Sequence, residues 1–259
     1  MGIGESVSKG FSVAKKSMSV VTVLFVLGFI FSLINIFLAP QTAPGGVAVT
    51  PAPASPPLIA AGVVFIFLSI FIQAGSMGFI RDLIKTGGAS LANFTSAGGK
   101  YYLRLLLLGI VVSLIIGVFV LIAALSVAFL KDNLAVIGIP LAILFGALGI
   151  YFVVMMFLAP YVAVVDEKGV GESIKLSMKL VKKNILTLLG IALVLTLIGF
   201  GIGLILGAIV AGISFVVKQP MAAQVLFALL SSAVNSFLGI VVTAAFMSFY
   251  LSLSDRNNN

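Results

Sequence analysis

Acid–base chemistry in this 259-residue chain would have to come from carboxylates, Lys side chains or the hydroxyl groups of Tyr and Ser, because the sequence contains no histidine and no cysteine. Ser-His-Asp and Cys-His catalysis, thiolate metal sites and disulfide bonds are therefore excluded. The carboxylates are Glu5, Asp82, Asp132, Asp166, Glu167, Glu172 and Asp255. None lies inside an apolar stretch, which also argues against an aspartyl dyad or a proton relay at membrane depth. We therefore expect no enzyme activity, no metal and no cofactor.

Long stretches without charge set the fold class. The chain is 61% hydrophobic and only 8% charged, against roughly 25% charged in an ordinary soluble domain. Residues 17–80, 105–130, 133–165, 184–217 and 219–254 contain no Asp, Glu, Lys or Arg. Each stretch exceeds the roughly 20 residues that a helix needs to cross a bilayer. The sequence predicts an all-α integral membrane protein in which residues 1–259 form a single membrane domain.

Six transmembrane helices fit this pattern. The predicted spans are 19–39, 58–80, 105–130, 134–165, 185–217 and 221–253. The first two are separated by residues 40–57, where six prolines forbid a continuing helix. The fourth span is long enough to tilt, or to break at Pro140.

Basic residues indicate the orientation. Thirteen of the fifteen Lys and Arg residues fall in the N-terminus, the 81–104 loop, the 166–184 loop and the C-terminus, while Lys131 and Lys218 lie on the opposite side. Positive charge is retained on the cytoplasmic side of membrane proteins. The sequence therefore predicts a multi-pass protein of the cell membrane with both termini in the cytoplasm.

A short polar motif recurs three times. Residues 4–7 (GESV) return as 88–91 (GASL) and as 171–174 (GESI), and each copy continues into an apolar span, a short outer loop and a returning span. The pattern predicts three co-oriented repeats, 4–87, 88–170 and 171–259, each an interfacial amphipathic helix plus a transmembrane hairpin. Such repeats are related by an axis along the membrane normal. The alternative to a repeat is that any membrane protein shows a similar alternation of apolar and polar segments.

The interfacial helices are predicted from apolar spacing at i, i+4, i+7 and i+11, which is typical of a helix lying in the membrane surface with its apolar face towards the lipid. The stripes are Val7, Phe11, Ala14 and Met18 in the first copy, and Ile174, Met178, Val181 and Ile185 in the third. In the middle copy Gly98-Gly99 interrupts the pattern. Tyr101, Tyr102 and Arg104 are predicted there as anchors at headgroup level.

Three groups of residues are candidates for contacts. Lys15, Lys16, Lys100, Arg104, Lys182 and Lys183 recur near equivalent repeat positions and are predicted either to bind anionic lipid headgroups or only to enforce topology. Gly199, Gly203, Gly207 and Ala211 form a small-residue stripe, predicted to pack helices closely within the bundle or at a subunit contact, with a pore lining or flexible gate as the alternative. The amides Asn35, Gln73 and Asn235 are predicted to bond between helices, or else to line a polar path for a neutral solute.

The acidic residues at the ends of the second and fourth spans are predicted to pair locally. Asp82 and the Asp166-Glu167 pair stand beside basic neighbours, namely Arg81, Lys85 and Lys168.

The stretch 159–173 (APYVAVVDEKGVGES), together with Ser177 and Lys182-Lys183-Asn184, resembles a broad group of bacterial and archaeal membrane proteins. This group includes the membrane domain of some glycerophosphoryl diester phosphodiesterases and its stand-alone relatives. The resemblance implies a multi-span all-α domain. It implies no activity, because the catalysis of the soluble phosphodiesterase half relies on histidines that this chain lacks.

The leading functional hypothesis is a non-enzymatic polytopic membrane protein that acts through lipid or partner-protein contacts in envelope maintenance. Its expected partners are membrane lipids, anionic ones among them, and a homo- or hetero-oligomer is left open; no nucleic acid is expected. The alternative is a channel or carrier for a small neutral or amphipathic solute. An intramembrane enzyme is the third hypothesis, which the residue inventory disfavours most.

Overall fold

The computed structural model of the chain describes residues 1–38, 56–128, 135–216 and 220–258, which form eight α-helices. They are α1 (Ile3–Lys16), α2 (Met18–Leu38), α3 (Pro56–Thr86), α4 (Leu91–Ala128), α5 (Ala135–Met156), α6 (Ala159–Val165), α7 (Val170–Val216) and α8 (Pro220–Asn258). Six helical stretches are long and apolar enough to cross a membrane, namely Met18–Phe37, Pro56–Thr86, Leu91–Val127, Ile137–Val165, Val170–Ile213 and Met221–Ser254. The prediction of an all-α chain with six such helices is confirmed. Most of the predicted proline-rich loop, 40–57, lies outside the described residues.

Two amphipathic segments are separated from the following span by a single non-helical residue. Ser17, between α1 and α2, has φ −101° and ψ 23°, and Asn184, inside α7, has φ −129° and ψ 23°. Each side chain donates to the carbonyl four residues before it, Ser17 to Val13 at 2.8 Å and Asn184 to Leu180 at 2.9 Å. Short polar side chains that bond back in this way compete with the backbone ladder and bend helices. Residues 170–183 are called the first part of α7 below.

The middle segment differs. Gly98 and Gly99 interrupt the amphipathic pattern of the sequence but not the helix, because α4 runs through both glycines without a break. Gly98 lies against the ring of Phe71 on α3, where a Cβ atom would come within 2.7 Å of the ring. The missing side chain therefore allows α4 to approach α3 rather than ending the helix.

The fourth span is divided, but not at Pro140. α5 continues through that proline, and the break falls at Phe157–Leu158, directly before α6. Pro160, at the start of α6, has no N–H to donate to the carbonyl of Met156, and in an unbroken helix its ring would clash with that carbonyl. The neighbouring carbonyl of Met155 accepts instead a hydrogen bond of 2.8 Å from the hydroxyl of Ser177 on α7. This bond replaces the one that an unbroken helix would make from the N–H of residue 159.

The returning spans meet in the centre of the bundle. α3, α6 and α8 contact one another, while α2 lies between α8 and α3, and α4 between α3 and α5. α7 contacts α5, α6 and α8, and α1 packs on α8. The largest fully buried side chains include Phe79, Ile80, Val162, Tyr101, Phe249 and Tyr250. These residues lie towards the ends of α3, α6 and α8 and the beginning of α4, and we call this side the charged end because the ionic residues described below gather there.

The other halves of the long helices are largely uncovered by protein. Ile143 on α5 is 67% exposed and Leu204 on α7 is 59% exposed. Apolar side chains at this exposure would be unfavourable in water, but they are matched to hydrocarbon.

The apolar stripe of α1 faces protein rather than lipid alone. Val7 and Ala14 are buried, and the ring of Phe11 contacts that of Phe237 on α8 with centroids 6.2 Å apart. Met18, the last residue of the stripe, is exposed. The predicted lipid-facing stripe is thus mainly the surface with which α1 packs on the bundle.

Close backbone approach at two glycines lets these segments reach the central helices. A Cβ atom on Gly10 of α1 would lie 2.7 Å from the carbonyl oxygen of Val241 on α8. A Cβ atom on Gly75 of α3 would lie 2.7 Å from the carbonyl oxygen of Phe94 on α4. Backbone atoms cannot rotate away as side chains do, so neither position has room for a larger residue.

We expect Gly75→Ala to lower the thermal unfolding midpoint of the purified protein in detergent, because overpacking a close contact costs about 1–3 kcal/mol. Gly203→Ala is the matched control, since a Cβ atom there would meet nothing within 4 Å and alanine is the better helix former by about 1 kcal/mol. The control should unfold at the same temperature or higher. Equal losses in both variants would contradict the packing described here.

Candidate functional site

The charged end holds a connected polar cluster, which we call the Tyr101 network. It comprises Arg81, Asp82, Lys100, Tyr101, Arg104 and Glu167. Arg81 and Asp82 come from the last turns of α3, three members come from α4, and Glu167 comes from the four-residue loop between α6 and α7. The network therefore ties together three parts of the chain that are distant in sequence.

Tyr101 is the centre of the network and is almost completely buried, with 1% of its surface exposed. Its hydroxyl accepts a hydrogen bond from Arg81 at 2.5 Å and donates one to Glu167 at 2.7 Å. The Arg81, Lys100 and Arg104 cations lie 5.2–5.9 Å from the ring centroid. Cations at this distance are attracted by the negative faces of aromatic rings. A single side chain thus contacts three cations and one carboxylate.

The guanidinium groups of Arg81 and Arg104 also donate hydrogen bonds to backbone carbonyls at the end of α6. Arg81 donates to the carbonyl of Val164, and Arg104 to that of Ala163, each at 3.0 Å. The last carbonyls of a helix have no partner within the helix, and cations there interact favourably with its dipole. Arg81 additionally pairs with Asp82 at 2.8 Å. The predicted pairing of Asp82 with a basic neighbour is therefore present.

Glu167 is held in an uncommon backbone conformation. Its φ is 55°, the only positive φ of a non-glycine residue among those that the structure describes. Such a conformation costs roughly 1 kcal/mol or more for residues other than glycine. It directs the carboxylate towards α4, where it pairs with Lys100 at 2.5 Å. The predicted local pairing of Glu167 with a sequence neighbour is thus replaced by one across 67 residues.

Hydrogen bonds from Lys100 and then Tyr101 lower the pKa of Glu167 from 4.5 to about 2. A carboxyl group with this pKa stays ionised at neutral pH and cannot serve as a general acid. The network is therefore suited to holding chain segments together, and to presenting polar groups to a cleft of about 380 Å³ lined by Arg81, Asp82, Asn93, Ser96 and Lys100, among others.

A second polar cavity lies on the other side of the α6–α7 loop. Its volume is about 290 Å³, and its polar lining comprises Asp166, Lys168, Lys179, Tyr250 and Ser254. The hydroxyl of Tyr250 donates to Asp166 at 2.8 Å. Neither lysine makes an ion pair with a described residue. The cavity thus has two unpaired cations and one carboxylate that is already hydrogen-bonded.

The six predicted headgroup residues are not brought together. Lys100 and Arg104 belong to the Tyr101 network, whereas Lys15, Lys16, Lys182 and Lys183 are exposed at the ends of α1 and of the first part of α7. Tyr101, predicted as a headgroup anchor, is instead buried. The importance of Arg81, Tyr101 and Glu167 as one cluster was not predicted, because contacts across 20 and 66 residues leave no local spacing signal.

The three amides of the predicted spans differ in their surroundings. Asn35 donates to the carbonyl of Phe31 in its own helix at 2.9 Å. Gln73 is exposed and borders two cavities, of about 230 Å³ and 300 Å³, on either side of α3. Asn235 is exposed on α8.

The glycine stripe on α7 does not pack on a neighbouring helix of the described chain. Cβ atoms built on Gly199, Gly203 and Gly207 would meet nothing within 4 Å, and Ala211 is exposed. A subunit contact, the other packing prediction for this stripe, stays a prediction.

Comparison with known proteins places the chain in one family. A family model described as Domain of unknown function (DUF7847) matches residues 1–253. The chain therefore belongs to this family. No curated protein and no solved structure matches the chain. The resemblance to the phosphodiesterase membrane domain stays a prediction.

The pairing of Glu167 makes a test of the network possible. Because its pKa is lower in the folded protein, the unfolded chain binds more protons between about pH 4.5 and 2, and the stabilisation is lost as the pH falls through that range. We expect the thermal midpoint of the wild type to fall more steeply between pH 5 and 3 than that of Glu167→Gln. Glu172→Gln, which removes an exposed carboxylate of α7, is the control. A slope for Glu167→Gln equal to that of the wild type would contradict the assigned pairing.

Proposed function

We propose that this DUF7847 protein is a non-enzymatic six-span membrane protein that holds anionic lipids of the cytoplasmic leaflet and thereby acts in envelope maintenance, alone or as a subunit of a larger assembly. In this proposal it lies in the cell membrane with both termini in the cytoplasm. The charged end then faces the cytoplasm, and the uncovered apolar helix surfaces face hydrocarbon.

The observation that carries the proposal is the set of unpaired lysines on α1 and the first part of α7. These are Lys9, Lys15, Lys16, Lys175, Lys179, Lys182 and Lys183. All are exposed, and none makes an ion pair with a described residue. The cations of the Tyr101 network, by contrast, are engaged within the protein. Each cation near an anionic leaflet adds about 1 kcal/mol of binding free energy.

The proposed threefold repeat is supported by equivalent positions. The break residues Ser17 and Asn184 are 167 residues apart, which is the separation of the first and third copies of the glycine motif. Gly10, Phe94 and Ser177 are also at equivalent positions. Gly10 and Ser177 each lie against a backbone carbonyl of a returning span, and the carbonyl of Phe94 itself lies against Gly75 of another. The central contacts among α3, α6 and α8 fit three hairpins around an axis along the membrane normal.

The alternative, a channel or carrier, draws support from the cavities beside Gln73. The packing of the three central helices argues against a continuous path, because Ala74, Val162 and Ala244 are completely buried. Flux of a neutral solute into liposomes containing the purified protein, absent from empty liposomes, would favour the alternative.

Lipid retention tests the proposal directly. We expect Lys182→Gln/Lys183→Gln to retain fewer phosphatidylglycerol molecules than the wild type in native mass spectrometry from nanodiscs with equal phosphatidylglycerol and phosphatidylcholine. Loss of two cations corresponds to about 2 kcal/mol, or roughly thirtyfold in relative affinity at the affected site.

The matched control is Lys131→Gln/Lys218→Gln, which removes the same charge from the predicted outer side, at positions outside the described residues. At the proposed inner-leaflet site, this variant should retain the same number of phosphatidylglycerol molecules as the wild type. The proposal is wrong if the two double variants retain anionic lipid equally, or if the wild type shows no preference for it.

A further inference from the structure

Three polar side chains of α3 line up along one apolar cleft. Ser69, Gln73 and Ser76, at i, i+4 and i+7, share one face of the helix. The face borders a cleft of about 230 Å³ between α2, α3 and α8, which we call the α3 cleft. Its other walls are apolar or small and include Leu24, Leu27, Gly28, Gly239 and Ile240, with Thr243 as a further hydroxyl.

Only some of these polar groups are satisfied. Ser69 donates to the carbonyl of Ile66 at 2.7 Å, and Thr243 to that of Gly239 at 2.8 Å. The hydroxyl of Ser76 is buried without a hydrogen-bond partner, and only 5% of the residue is exposed. The amide of Gln73 makes no hydrogen bond to any residue within the described ranges. The cleft thus contains one unpaired hydroxyl and one unpaired amide on adjacent turns.

The depth of Gln73 makes these unpaired groups costly. Gln73 precedes Arg81 at the charged end by eight residues, which is about 12 Å along a helix, and half of a hydrocarbon core is about 15 Å. Lipid tails offer no hydrogen bonds, so an unpaired amide at this depth loses the free energy of its bonds to water. A ligand with its own polar group would restore them.

The lining defines the ligand class. Among the residues that the structure describes, no charged side chain borders the α3 cleft, so an ion would be transferred into apolar surroundings without a counter-charge. The amide of Gln73 can both donate and accept hydrogen bonds, and the Ser76 hydroxyl can do the same. The rings of Phe31 and Phe65 stack with centroids 3.6 Å apart, and Phe65 lines the cleft, which gives a flat apolar wall. The volume is below the roughly 300 Å³ of pockets that enclose whole small molecules.

We propose that the α3 cleft binds the head of an uncharged, single-chain lipid that carries both a hydroxyl and a carbonyl group, as a monoacylglycerol does, with the rest of the chain in the surrounding hydrocarbon. Gln73 and Ser76 hydrogen-bond the head, and α2 and α8 cover its apolar part. This site does not involve the exposed lysines, so its test is independent of the test for the proposed binding of anionic lipid.

Photolabelling tests the site in the full-length protein in phosphatidylcholine nanodiscs. The probe is a monoacylglycerol with a diazirine near the head of its acyl chain, and labelled peptides are identified by mass spectrometry. We expect saturable labelling of α2, α3 or α8 residues that border the cleft. The double variant Gln73→Leu/Ser76→Ala should need roughly thirtyfold more probe for half-maximal labelling, because two hydrogen bonds of about 1 kcal/mol each are lost.

Asn235→Leu/Ser248→Ala is the matched control. It removes another exposed amide of a span and the other buried hydroxyl without a partner among the described residues, neither of which borders the cleft. Labelling of this variant should equal that of the wild type, and thermal midpoints of both double variants should be at or above the wild-type value. Unlabelled monoacylglycerol should compete, whereas an alkane or an ionised fatty acid of the same length should not.

Three outcomes would overturn the inference. The first is equal half-maximal labelling of the wild type and of Gln73→Leu/Ser76→Ala. The second is equal competition by the alkane, which would mean that the polar groups contribute nothing. The third is labelling distributed over the lipid-exposed surfaces of all six spans, which would mean that the probe reports only membrane contact.

Discussion

An ionised side chain loses much of its solvation when it enters hydrocarbon, and this single constraint organises the molecule. It confines the charges of a strongly apolar chain to helix ends, where each charge needs an ion-pair partner or hydration. At the charged end some charges are paired and others are exposed. Arg81, Arg104 and Glu167 are fixed around Tyr101 and the end of α6, while the lysines of α1 and of the first part of α7 point to the surroundings. One set of charges closes the bundle, and the other is available for external contacts.

Features that follow from composition could be predicted from the sequence, whereas those set by packing could not. The six spans follow from charge-free stretches, and the pairing of Arg81 with Asp82 follows from their adjacency. The sequence allows the fourth span either to tilt or to break at Pro140, but Pro140 lies within α5 and Pro160 interrupts the backbone ladder instead. The glycine stripe on α7 looked like a packing face, yet its neighbours in the chain do not reach it. Small residues permit close approach without specifying a partner.

The Tyr101 network also accounts for the asymmetry among the three proposed repeats. In the proposed register, Tyr101 of the middle copy stands where Ser17 and Asn184 stand in the other two. Those two short polar side chains bond back to their own helix and bend it, whereas Tyr101 reaches outwards to Arg81 and Glu167 and α4 continues without a break. A single position thus supplies a bend in two copies and a tertiary anchor in the third. Duplicated segments can diverge in this way while the surrounding helix pairs keep their arrangement.

The hydrogen bond from Ser177 to Met155 constrains how the fourth span can move. A helix with a break would normally be free to flex there, but flexing at Phe157–Leu158 away from α7 would strand a peptide carbonyl in an apolar environment. The bond therefore couples bending of the fourth span at this break to the position of the first part of α7.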